Sequence, residues 1–278
     1  MMTIWRSIAA LLLALGATDA AASNAPELRL WRLDCGGMII DDISYFSDAF
    51  AYEGRPAEIG NGCYLIQHGD AYMLWDAGLP RDYLNNKTAD EDGWLSFVTV
   101  TIADQLALIG VTPDQINFLG LSHFHGDHVG QADEFQTATL LISGADASAI
   151  RGKPSGNASR RLAPWFGGGS TMIEFSGDHD VFGDGSVIIL ATPGHTPGHS
   201  SLLIRLKETG PIILTGDLFH FRSEIGRRNV SRWNTSRADT LASIERFEGI
   251  VENLRPVVIV QHDNRDIGRL PAFPKAAR

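Results

Sequence analysis

Apolar residues in this chain fall mainly into short runs that end in turn residues, with stretches of helical spacing between them. Glu27 to Leu33 and Cys63 to His68 alternate apolar and polar positions, which predicts two half-buried strands. Ala71-Tyr-Met-Leu-Trp75 predicts a third, closed by the turn Asp76-Ala-Gly78. Thr101 to Ile109 places Ile102, Leu106 and Ile109 one helical turn apart. Asn117 to Ser122 and Thr139 to Ser143 read as strands, and the second half repeats the theme with Ser186–Ala191, Ser200–Leu206, Pro211–Thr215 and Pro256–Val260. Between the last two, Leu241, Ile244, Phe247, Val251 and Leu254 form one apolar helix face. Ser236 with Asp239 opens that helix like a capping box, and Pro256 closes it. Strand-rich halves with interposed helices predict two sheets packed face to face and covered by helices outside. Three stretches read as long loops: Gly36–Gly62, Pro80–Val100 and Gly152–Ser170.

The first two dozen residues depart from this pattern. Arg6 is the only charge before the apolar run Ile8 to Gly16, and Ala20-Ala21-Ala22 offers an A-x-A cleavage site. The run is shorter than the roughly 20 residues that span a bilayer. It therefore reads as a signal peptide over residues 1–22, with a membrane-tethering helix as the alternative, and leaves residues 23–278 as one mature domain in the periplasm or outside the cell. No later segment is long and apolar enough to insert stably in a membrane. Of the two cysteines, Cys35 and Cys63, neither belongs to a C-x-x-C metal motif. An oxidising compartment permits a bridge between them, but spacing alone leaves bridge and free thiols both open. Twenty-three basic against thirty-three acidic residues leave a net charge of −10, which argues against a nucleic-acid partner.

Chemistry concentrates in Ser122-His123-Phe124-His125-Gly126-Asp127-His128. Four ligand-type side chains in six residues are more than a core accommodates without partners, and a metal ion provides them. Other ligand types share one placement, directly after an apolar strand: His195 after Val187–Gly194, Asp217 after Pro211–Gly216, and His262 after Pro256–Gln261. Ligands at neighbouring strand ends converge at one sheet edge on rigid supports. Five histidines and two carboxylates exceed the needs of one tetrahedral ion, so two are implied.

The H-x-H-x-D-H run, Thr192-Pro-Gly-His-Thr-Pro-Gly-His199, Thr215-Gly-Asp217, Gln261-His-Asp263 and Leu74-Trp-Asp-Ala-Gly78 together resemble the metallo-β-lactamase superfamily. The resemblance spans almost all of the mature chain. It implies an α/β fold, an αββα sandwich of two packed mixed β-sheets flanked by helices. It also implies that His123, His125 and His195 hold one divalent metal, that Asp127, His128 and His262 hold the other, and that Asp217 bridges; zinc is expected, with iron, manganese or cobalt as alternatives. His199 is expected to support the ligands or to pack in the core, Asp76 to support the ligands or to fix its loop, and His68 and His179 to be surface residues.

Within the superfamily the sequence is most similar to N-acyl-homoserine lactonases, through Cys63-Tyr-Leu-Ile66, Leu74–Pro80, Ser176–Val181 and Asn234–Ser243. The implied reaction opens a lactone ring by hydroxide generated between the two metals, with a small acyl lactone or ester as substrate. Asp127 would shuttle the proton. Many of those lactonases carry a tyrosine three residues past the bridging aspartate. Here His220 stands there, in a position to donate to the substrate carbonyl. Other esters, phosphotriesters or β-lactams are alternative substrates, and a mononuclear-iron persulfide dioxygenase is an alternative activity. The aromatic residues of Gly36–Gly62, with Trp94, Leu95, Phe97 and Val98, could form an acyl slot, pack the loops or build a homodimer contact.

Overall fold

The computed structural model describes residues 26–89 and 93–278. The expected signal segment, residues 1–22, lies outside the described residues. Strands β1 (Leu28–Ile40), β2 (Ala57–His68), β3 (Ala71–Trp75), β4 (Thr88–Ala89), β5 (Leu95–Phe97), β6 (Ile116–Gly120), β7 (Thr139–Ser143) and β8 (Met172–Phe175) form one sheet in the order β4-β5-β1-β2-β3-β6-β7-β8. Strands β9 (His179–Asp180), β10 (Val187–Ala191), β11 (Ser200–Leu206), β12 (Gly210–Leu214) and β13 (Val257–Ile259) form the other, in the order β13-β12-β11-β10-β9. Both sheets are mixed: β3, β6, β7 and β8 run parallel beside antiparallel β1–β2–β3, and β12 pairs parallel with β13. The helices are α1 (Ile102–Leu108), α2 (Gly126–Val129), α3 (Gly144–Arg151), α4 (Asn157–Arg161), α5 (Ala163–Phe166), α6 (Arg237–Leu254) and α7 (Asn264–Ile267).

Alternation along the strands builds three apolar layers. Tyr64, Ile66, Met73 and Trp75 of the first sheet meet Leu202, Ile204, Ile212 and Leu214 of the second between the sheets. The opposite faces of the same strands, Leu65 and Leu74, pack with Ile102 and Leu106 of α1. Leu203, Ile213 and Val258 pack against Ile244 and Phe247 of α6 on the far side. A strand turns alternate side chains to opposite faces, so each sheet contributes to two layers and the result is the expected αββα sandwich.

The stretch Gly36–Gly62 is not the continuous loop that its glycines suggest. β1 runs on to Ile40 and β2 starts at Ala57, with a register shift between Asp34 and Gly37. Gly36 takes φ +102°, so the glycine pair makes a bulge inside a strand rather than ending it. Only the stretch from Asp41 to Pro56 stays outside the ladder, and it contains a short 3-10 turn at Ile43–Phe46. Within Pro80–Val100 lie the short strands β4 and β5, and within Gly152–Ser170 the short helices α4 and α5. Cys35 and Cys63 are joined in a disulfide between β1 and β2, with Cα atoms 5.9 Å apart.

Candidate metal centre

The site lies where several strands end together. β3 leads into Asp76, β6 into Ser122-His123, β12 into Asp217 and β13 into His262, while the turn after β10 carries His195. Thr215-Gly-Asp217 needs its glycine: Gly216 takes φ +54°, and a Cβ there would stand 2.7 Å from His199 Nε2.

The side chains converge in two groups whose ligand atoms lie within 4.8 Å of one another: His123, His125, His195 and Asp217 in the first, Asp127, His128 and His262 in the second. Asp217 faces both groups with different oxygens. Its Oδ2 lies 3.3 Å from His195 Nε2 and 3.7 Å from His123 Nε2, and its Oδ1 lies 3.3 Å from His128 Nε2 and 3.2 Å from His262 Nε2. Asp127 Oδ2 completes the second group at 3.4 Å from both His128 and His262.

Ring orientation is set from behind, through Nδ1. His128 Nδ1 donates to Asp76 Oδ2 at 3.0 Å and His262 Nδ1 to the Gly60 carbonyl at 2.9 Å. His195 Nδ1 donates to Asn234 Oδ1 at 2.8 Å, and His123 Nδ1 meets Ser122 Oγ at 3.0 Å. Asp76 is fully buried and also accepts from the Ser122 N–H, the Ser122 hydroxyl and Gln261 Nε2. With Nδ1 spent, Nε2 is the ring nitrogen that each of these imidazoles turns towards the carboxylates. His199 stands outside both groups and accepts the Asp217 N–H at Nε2, 2.9 Å away. His68 and His179 stand outside them as well; His68 pairs with Asp184 at 2.8 Å.

This arrangement fits a divalent cation. His123 Nε2, His128 Nε2 and Asp217 Oδ1 are buried and have no hydrogen-bond partner, although buried polar atoms nearly always have one. All three point into the same space, and an imidazole and carboxylate donor set suits a divalent metal. Electrostatics agrees. Burial, reinforced by neighbouring imidazoles, drives His123 well below the usual histidine range and His125 to about 3, so both present lone pairs. In the second group burial works against His128, but Asp127, Asp217 and Asp76 outweigh it and hold it well above that range. The carboxylates thus draw positive charge to that position.

The family model for the metallo-beta-lactamase superfamily matches residues 60–262, the stretch that holds every side chain of both groups. The chain belongs to the metallo-β-lactamase superfamily. Among curated members it is 28% identical over 254 residues to an N-acyl homoserine lactonase of a Bacillus species, covering 89% of this chain and 98% of that one. It is also 28% identical over 232 residues to the N-acyl homoserine lactonase AttM of Rhizobium radiobacter, covering 76% and 84%. A variant of AiiA from B. thuringiensis with N-decanoyl-L-homoserine at its active site shares the fold, with a TM-score of 0.78 at 24% identity over 91% of this chain and 100% of that one. AidC, a dizinc quorum-quenching lactonase, shares it at a TM-score of 0.63 and 17% identity, over 91% and 90%.

In this superfamily member both groups floor a cavity of about 460 Å³. Met38, Phe46, Trp94, Phe124 and Trp233 are among its apolar lining. The expected aromatic stretches therefore divide: Phe46 and Trp94 reach the cavity, Tyr52 and Val98 are core, and Tyr45 and Phe50 are exposed. His220 also lines the cavity, with Nε2 3.4 Å from Asp217 Oδ2 and its ring against Phe46. Burial brings His220 down to about 4. Sequence reasoning missed four supporting side chains: Asn234, Gln261, Glu224 and Asn61, whose Nδ2 donates to the Asp127 carbonyl at 2.5 Å. Gln261 adjoins a ligand and Asn234 lies in a motif already noted, so both carried a signal; Asn61 and Glu224 carried none.

Proposed function

We propose that the protein is an exported, dinuclear metallohydrolase that opens the ring of N-acyl homoserine lactones and so quenches quorum signals. Residues 23–278 form the mature domain on this reading, and zinc is the expected metal in both positions. The observation that carries it is Asp217, which turns one oxygen to each of two complete ligand groups at the base of an apolar-walled cavity. A second complete group favours a dinuclear hydrolase over a mononuclear-iron dioxygenase. The similarity to lactonases along most of their length supports the substrate class. The disulfide supports export, because such bridges persist in oxidising compartments.

Two divalent cations in such a donor set supply a Lewis acid for an acyl oxygen and draw the pKa of a water towards about 7. The chain's own residues do the rest. Asp127 is the partly exposed carboxylate of the site; burial opposes its charge, but His128 and His262 keep it ionised, below the usual range. It accepts the proton of the attacking water and returns it to the alkoxide that leaves when the ring opens. His220 is neutral at pH 7 and lines the cavity, where an imidazole N–H stabilises charge growing on the carbonyl oxygen. The aromatic wall keeps bulk water from the acyl chain.

The test is metal-loaded protein against a panel of N-acyl homoserine lactones, an aryl ester, a phosphotriester and a cephalosporin, with acid release followed. A lactone preference of at least about tenfold, roughly 1.4 kcal/mol, is expected. Preference for any other class overturns the substrate, and full turnover after complete metal removal overturns the mechanism.

A further inference from the structure

Two residues that line the cavity take no part in its metal-facing floor. Lys153 and Asn157 lie on the segment that follows α3, and α4 packs on α2, the helix that carries Asp127 and His128. A Cβ on Gly126 would stand 2.9 Å from Asn157 Nδ2, so that amide sits directly over the turn between His125 and Asp127. Asn157 Oδ1 accepts from Arg160 Nη2 at 3.2 Å, while Nδ2 donates to no acceptor among the described residues.

Lys153 is fixed through its backbone. Its N–H donates to the Ile150 carbonyl at 2.9 Å, and its own carbonyl accepts from the Gly156 N–H at 3.0 Å and the Ser159 hydroxyl at 2.7 Å. Among the described residues its ammonium pairs with no carboxylate, and no other lysine or arginine lines the cavity. The remaining charge there belongs to the imidazoles and carboxylates of the floor. An apolar tail needs nothing from an ammonium and an amide N–H. Oxygen acceptors do, because both groups only donate.

We infer that Lys153 and Asn157 are specificity-determining residues that select acyl chains bearing an oxygen acceptor, a keto oxygen or a carboxylate, over plain alkyl chains. The inference rests on the lactonase reading for its substrate frame. Lys153 is solvent-exposed, and an exposed ammonium is screened by salt, so the selection is modest and weakens as ionic strength rises.

Metal-loaded protein is assayed with N-hexanoyl, N-(β-ketohexanoyl) and N-adipoyl homoserine lactone, and the affinities of the three ring-opened products are read from quenching of Trp94 and Trp233, which line the same cavity. The parent is expected to favour both acceptor-bearing chains in kcat/KM by about five- to tenfold, less at high salt. Lys153→Met should bring the adipoyl preference close to one and leave the hexanoyl substrate within about twofold, and Asn157→Ala should act mainly on the keto chain. Equal kcat/KM for the three chains in the parent overturns the inference, as does an equal loss on all three in Lys153→Met. If no lactone turns over, the lactonase reading falls. Product affinities then decide the inference alone, and equal binding of the hexanoyl and adipoyl products sinks it.

Discussion

On the floor of the cavity His123, His128, His195 and His262 are each aimed by a hydrogen bond at Nδ1, and the Asp217 main chain is held by His199. The wall is held differently. Phe46 meets Trp94 at 5.6 Å and Trp94 meets Trp233 at 6.0 Å, while Trp233 and Tyr45 remain 42% and 50% exposed. Ring contacts of this kind are worth about 0.5–1.5 kcal/mol each and tolerate several geometries. A buried imidazole whose partner is removed instead leaves an unsatisfied group and a misaimed ligand. The contrast teaches that the ligand-type side chains are fixed on strand ends with few degrees of freedom, whereas the loops of the wall can change without disturbing them.

The largest effect is expected where both groups share a residue. Asp217→Asn removes the charge that faces both positions and leaves an amide N–H2 that cannot replace a carboxylate oxygen. Metal content, read by elemental analysis, should fall at both positions together, to well under one ion per chain, and kcat/KM by about 10³ or more, roughly 4 kcal/mol. Loss of metal from one position with the other intact would show that the groups are independent, and the floor would then be two sites rather than one.

The floor was legible in the sequence because each of its ligands follows an apolar strand, and the strands could be read from alternation. His123, His195, Asp217 and His262 come from separate stretches of the chain, yet their shared placement predicted one edge. The wall was not legible. Gly36-Gly37 looks like the start of a loop and is a bulge inside β1, because a glycine at φ +102° can stay within a ladder that alternation would have it leave. Periodicity does not say which loop aromatics turn inward, so Phe46 and Trp94 could not be told from Tyr45 and Phe50. Nor could spacing join Cys35 to Cys63; the pairing follows from a β1–β2 register that sets Leu33 opposite Cys63, with the bulge just after.

That bridge backs the wall, since the Cys35 carbonyl accepts the N–H of the cavity-lining Leu79 at 3.1 Å. It closes a separation of 28 residues, for which loop-closure entropy gives about 3–4 kcal/mol. The Cys35→Ala/Cys63→Ala double variant is expected to lose about that much unfolding free energy in urea titration, while kcat/KM per folded molecule at 25 °C stays within about twofold. A matching loss of activity in fully folded protein would place the bridge in the catalytic floor instead.

The smallest effect tests a buried carboxyl that joins the wall to the floor. Glu224 is buried, accepts the His220 N–H at 2.7 Å through Oε2, and leaves Oε1 without a partner. Burial lifts its carboxyl from the ordinary 4.5 to about 8, against the pull of the His220 and Phe221 N–H groups. Between those values the native protein keeps a proton that the unfolded chain has released. The stabilising share of that proton is therefore complete below about pH 4.5 and is lost as pH rises towards 8. Tyr52, raised above its ordinary 10, titrates above that interval, while His220, drawn by burial from 6.5 to about 4, adds a pH dependence that parent and variant share and that the difference between them removes. Glu224→Gln keeps the shape of the neutral form at every pH, so its stability relative to the parent should climb between pH 5 and pH 9, by on the order of 1–3 kcal/mol. Thermal unfolding of both proteins across that range reads the difference directly. A flat difference would mean that Glu224 is ionised throughout, and the wall would then be pinned by charge as the floor is.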